Sequence, residues 1–109
     1  MSDLNFHART AISSRLNQTR TAVVGFARGD HDAVEVGLAL SQLRFQAGIT
    51  GRIAPVEAGA LRGTADLVEL TYRAAERAAR AGNVHRFDEL NRDALKALDL
   101  AREIILPKD

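Results

Sequence analysis

Apolar residues recur along the chain at helical spacing, in four blocks set apart by glycine. In the first block Ala8, Ile12, Leu16, Thr19, Val23 and Phe26 step by three or four residues and share one helix face. That helix is predicted from about Asp3 to Ala27, with Ser2 or Asp3 as its N-cap and Gly29 as its left-handed stop. The second block runs from Asp30 to about Gln46, with Asp30 as N-cap and Gly48 as stop. Val34, Val36, Leu38 and Leu40 alternate with Glu35, Gly37 and Ala39, which is also the period of a strand. A length of about 16 residues and the bracketing caps select the helix. Coiled, the block sets Val34, Leu38, Ser41 and Phe45 on one side and Val36, Leu40, Leu43 and Ala47 on another. So wide an apolar girth calls for two neighbours within the chain, or for a second chain.

Gly48, Gly51 and Pro55 mark a loop from which Ile49 and Ile53 are predicted to fold back onto the core. Pro55 suits the first turn of the next helix, where its missing N–H is no loss. The third block, Val56 to Ala81, carries Leu61, Ala65, Val68, Tyr72, Ala75 and Ala79 as its inner row. Beside that row run Ala60, Thr64, Leu67, Thr71, Ala74 and Ala78, and the opposite face offers Arg62/Asp66, Glu69/Arg73 and Glu76/Arg80 as i, i+4 pairs. Gly82-Asn83 ends this helix and caps the fourth, Val84 to Leu106, whose stripe is Phe87, Leu90, Ala94, Leu98, Ala101 and Ile105. The junctions at Gly29-Asp30 and Gly82-Asn83 are short enough to force antiparallel hairpins. The predicted fold is all-α: four helices in two antiparallel hairpins over residues 1–109, a bundle or a dimer that completes one.

Composition narrows the chemistry. The chain has no cysteine, which removes thiolate metal sites, iron–sulfur clusters, disulfides and a thiol nucleophile. A net charge of +1 leaves no bulk field for nucleic acid or a membrane surface. No basic run precedes an apolar stretch at the N-terminus, and the Ala33–Leu43 neighbourhood is broken by Glu35 and Gln42, so a cytoplasmic protein without a membrane partner is expected.

Catalytic motifs are missing: no P-loop, nucleophile elbow or dinucleotide fingerprint occurs, and no cofactor or enzymatic activity is expected. His31 near Asp30, Asp32 and Glu35, and His85 near Asp88 and Glu89, are spaced for weak metal sites, yet capping and the helix dipole account for the same acids. Phe6–Ile12 resembles the phospho-accepting histidine box of sensor kinases at His7 and Arg9-Thr10. Ala8 and Ala11 stand where that box has its acidic residue and its proline. Ala81–Leu90 resembles the helical-hairpin turns of type III export chaperones and tetratricopeptide repeats, in a single copy.

Two surfaces carry the functional expectations. Val34, Val36, Leu38, Leu40, Leu43 and Phe45 form the apolar contact surface of a self-associating interaction module, a homo-oligomer such as a dimer, adaptor or chaperone-like in use. As the alternative, Arg9, Arg15, Arg20 and Arg28 on the first helix are candidate phosphate contacts for nucleic acid, with no acid between Asp3 and Asp30.

Overall fold

The computed structural model describes residues 4–30 and 32–107. Within them the chain forms α1 (Phe6–Arg28), α2 (Ala33–Thr50), α3 (Pro55–Arg80) and α4 (Val84–Ile105), and no strand occurs among the described residues. The alternating second block is therefore a helix. Each helix packs against its chain neighbours, and α1 also packs against α4, closing the ring. The short connections make successive helices antiparallel. The result is an up-and-down four-helix bundle measuring 45 × 24 × 19 Å.

The turns between helices follow from local hydrogen bonding. Gly29 takes φ 80°, and the amides of Gly29 and Asp30 donate to the carbonyls of Phe26 and Gly25. This is the left-handed closure that glycine permits. It commits the Asp30 backbone to the end of α1, so the expected cap at Asp30 moves two residues on. Asp32 caps α2 instead, accepting from the amides of Val34 (3.0 Å) and Glu35 (3.3 Å). Gly82 repeats the closure at φ 74°, with Asn83 N–H bonded to the Ala78 carbonyl, and the Asn83 side chain then caps α4 through Arg86 N–H. At the first helix Asn5 is the cap, accepting from Ala8 N–H at 2.8 Å, whereas Ser2 and Asp3 lie outside the described residues.

The predicted stop at Gly48 is overridden. The helix runs through it to Thr50, and the turn closes with Ala54 N–H on the Thr50 carbonyl at 2.8 Å. Thr50 and Ala54 are buried and anchor this turn. Ile49 and Ile53, expected to fold inward, are 46% and 49% exposed. Pro55 opens α3 in its first turn, as its missing donor favours.

The core is one cluster drawn from all four helices. Ile12, Leu16 and Val23 of α1 meet Val36, Leu40 and Leu43 of α2, Leu61 and Val68 of α3, and Leu98 and Ile105 of α4. Ala65, Ala75 and Ala94, fully buried, let α3 and α4 approach closely. One end is held by aromatic rings: Phe26 stands edge-on to Tyr72 at 6.1 Å and tilted on Phe87 at 5.6 Å.

Four buried positions are polar, Thr19, Gln46, Thr50 and Asn91, and among the described residues the Asn91 amide stands out. Asn91 is 2% exposed, and neither its amide nitrogen nor its oxygen has a hydrogen-bond partner. A buried, unpaired amide costs about 1–3 kcal/mol. Asn91→Leu is therefore expected to stabilise the fold by about 1–3 kcal/mol in urea unfolding, and a loss of stability would show that the amide is needed. Leu40→Ala empties a fully buried site between helices and should lower stability by about 2–5 kcal/mol in the same measurement.

Candidate interaction surface

Once α2 is coiled and seated, its two apolar rows separate. Val36, Leu40 and Leu43 are at most 1% exposed and belong to the chain's own core with Ala47. Val34, Leu38 and Phe45 are 67%, 58% and 67% exposed. Of the six residues anticipated as a contact surface, three are thus already used inside the bundle, where a partner cannot reach them. The other three face outward and are joined by Ile49, which the sequence pattern predicts to fold inward. Their numbers, 34, 38, 45 and 49, step by four, seven and four with Ser41 between, which keeps one seam of heptad type.

The outward side of α2 is also poor in charge. The helix has two charged residues, Glu35 and Arg44, in 18 positions; α3 has eight in 26 and α4 nine in 22. Arg44 is occupied within the chain, bonded to Asp66 at 3.0 Å and Glu69 at 2.8 Å on α3. The Asp66 hydrogen bond first, and then Glu69, raise the Arg44 pKa above that of an ordinary guanidinium against the opposing effect of desolvation. Because the folded value is raised, this stabilisation is fully present below the ordinary guanidinium value, constant through the neutral range, and lost only as pH rises through the raised one. Asp66 thereby serves α2 rather than the anticipated Arg62, whereas Glu69/Arg73 and Glu76/Arg80 pair along α3 as spaced.

Two glycines sit on the same side of α2. A Cβ at Gly48 would touch nothing within 4 Å, and one at Gly37 would meet only the Tyr72 hydroxyl at 4.0 Å. Neither glycine is required by packing within the chain, although each weakens a helix by about 1 kcal/mol relative to alanine.

The arginines of α1 do not form a patch. Arg9 donates to the Pro107 carbonyl and Arg20 pairs with Asp99 at 3.0 Å, both toward α4. Arg15 reaches the other way, to Gln18 and to Gln42 of α2, and Arg28 stands in the last turn. Nineteen residues of helix separate Arg9 from Arg28, about 28 Å at the usual rise.

A further arginine, absent from the sequence expectations, holds α4 to α1. Arg102 donates to the Ser13 hydroxyl (2.9 Å), the Ser13 carbonyl (3.1 Å) and Asn17 Oδ1 (2.6 Å). It lies in an open cleft of about 600 Å³ that Arg9, Thr10, Ser14 and Phe6 also line. Three of its five N–H donors go to neutral acceptors of the neighbouring helix, which makes it a clamp. The partners lie 85 and 89 positions away, beyond any local pattern.

The two described histidines gather no ligand set. His7 is exposed against the Phe6 ring, and His85 Nε2 lies 3.5 Å from Glu89 with most of its side chain in solvent. His31, the centre of the other anticipated site, lies outside the described residues. Among the described residues no group of three His, Cys, Asp or Glu could hold a metal ion, and no helix is long and apolar enough to cross a membrane.

Removing the clamp by Arg102→Ala should lower stability by about 1–2 kcal/mol in thermal or urea unfolding, while Arg9→Ala, with one long hydrogen bond of 3.3 Å, should cost less than half as much. Equal effects would mean that the Ser13 and Asn17 contacts add nothing. Comparison with protein-family models, curated proteins and solved structures finds no match.

Proposed function

We propose that this protein is a non-catalytic interaction module that self-associates through the outward face of α2. The observation that carries the reading is the exposed row Val34, Leu38, Phe45 and Ile49 on a helix whose free face bears one charge, Glu35. Interface centres are depleted in charge and enriched in aromatic and apolar anchors. A helix facing only water would carry acid–base pairs there, as α3 does with Glu69/Arg73 and Glu76/Arg80. Gly37 and Ser41 lower the profile of the face beside Leu38 and Phe45, which suits close approach by another helix. Bound this way, the bundle would act as a structural adaptor whose own core, built on Val36, Leu40 and Leu43, stays intact.

The dispersal of Arg9, Arg15, Arg20 and Arg28 gives the nucleic-acid alternative no comparable support. Arg20 is matched by Asp99, and Arg15 is turned to Gln42.

Light scattering over a concentration series tests the proposal. The native chain should shift from monomer to dimer in the micromolar range, about the strength of a small interface. Leu38→Glu and Phe45→Glu should each weaken association at least about tenfold, with helicity by circular dichroism retained because both positions are exposed. Leu100→Glu, on the exposed apolar side of α4, should leave association unchanged. A native chain that stays monomeric at about 100 µM would overturn the reading.

A further inference from the structure

We infer that the occupant of the α2 face is a second copy of this chain, with the two α2 helices antiparallel about a two-fold axis between Ser41 and Gln42; this rests on the contact-face reading above. A two-fold contact is self-complementary: whatever lies a given distance before the axis meets what lies the same distance after it. The exposed apolar positions obey that condition. Val34 and Ile49 stand equally far from the midpoint, and so do Leu38 and Phe45. A parallel pairing would set Phe45 against Phe45 and Val34 against Val34 and would need no such symmetry.

The two glycines fit the same register. In knobs-into-holes packing a side chain enters a diamond of four residues on the facing helix. With the axis at Ser41/Gln42, Phe45 of one copy faces the diamond Val34, Gly37, Leu38 and Ser41 of the other. Leu38 faces Ser41, Arg44, Phe45 and Gly48. Each diamond holds one glycine and Ser41, and the larger knob meets the one with Gly37. This gives a use to glycines that packing within the chain leaves without one.

Charge agrees at the rim. Glu35 is exposed near the start of α2 and Arg52 is exposed just beyond its end, and among the described residues neither makes an ion pair within the chain. In the antiparallel register Glu35 lies opposite Gly48 of the other copy, one helical turn from Arg52. The symmetry creates two Glu35–Arg52 contacts, one at each end of the seam. In a parallel pair Glu35 would approach Glu35, a like-charge contact.

The alternative apolar surface has no such order. Leu67, Leu100 and Ile104 flank a shallow groove between α3 and α4 with Ala60 and Ala97. Those helices carry eight and nine charged residues, and the groove offers no palindromic row.

The chain's lack of cysteine makes the register directly testable. Leu38→Cys and Phe45→Cys proteins, mixed and mildly oxidised, should cross-link to each other through a 38–45 disulfide. Each alone should cross-link poorly, because 38–38 and 45–45 pairs are offset by seven residues, about 10 Å along the helix, beyond disulfide reach. Predominant 38–38 and 45–45 products would overturn the antiparallel register while leaving α2 as the contact face. Independently, Glu35→Arg and Arg52→Glu should each weaken dimerisation about threefold to tenfold, and the double exchange should restore it to within about twofold of the native value. Failure of the double exchange to restore what each single exchange removes would overturn the rim contact. Dimerisation abolished by Leu100→Glu and untouched by Leu38→Glu would place the interface on α3 and α4 and overturn both readings. A monomer at about 100 µM would do the same.

Discussion

The seating of α2 between α1 and α3 decides the character of this molecule. Val36, Leu40, Leu43 and Ala47 fill the space that Ile12, Leu16 and Val23 approach from one side and Leu61 and Val68 from the other. A helix turns about 100° per residue, so burying that row leaves no freedom over the rest. Val34, Leu38, Phe45 and Ile49 are held outward by the same act that buries the core row. Their exposure is not a local choice of four side chains. It follows from a helix with apolar residues on two sides being given neighbours that cover only one.

The polar contacts reinforce this seating and do little else. Arg44 reaches from α2 to Asp66 and Glu69 and links it to α3, while Arg15 reaches from α1 to Gln42. On the far side Arg102 and Arg20 join α4 to α1. Such exposed or half-exposed links add modestly to stability. Their larger effect is on orientation: they limit rotation of each helix about its axis, and rotation of α2 by even half a turn would exchange its two rows. Asp32 at its start and the Thr50–Ala54 turn at its end pin the same helix from both termini.

How far the sequence discloses this depends on the helix. In α1, α3 and α4 the large apolar residues fall mainly on one stripe, and Ile12, Leu16, Leu61, Val68, Leu98 and Ile105 could be placed inside from spacing alone. In α2 both rows are apolar, so spacing identifies them but cannot rank them; the neighbours make the choice. Ile49 looked like core because apolar loop residues usually fold inward, whereas continuation of the helix past Gly48 carries it onto the exposed row. Asp30 and Asp32 are equally good caps by residue type. The glycine closure of α1 decides between them by taking up the Asp30 amide. Arg62/Asp66 was a sound local pair that lost its acid to Arg44 across the helix interface. Asn91 and Arg102 were invisible because their environments are made by residues distant in sequence. The missed members of the candidate face, Ile49, Gly37 and Gly48, did have a signal: heptad spacing together with a helix almost free of charge.

The glycines carry the last step. In a helix that had only to cover its own core, alanine at Gly48 would strengthen the rod and meet nothing. A glycine there forgoes about 1 kcal/mol of helix stability. It leaves a dent on a face that already exposes four large apolar side chains. Those two departures from a water-facing helix lie within one helical turn of each other, at Gly48 and Phe45, and again at Gly37 and Leu38. Taken singly, each is a small flaw in a monomer. Leu38 and Phe45 stand at equal distances from the midpoint of Ser41 and Gln42, each with a glycine within a turn of it, and that pairing of bulge and dent is what the proposed two-fold contact draws on.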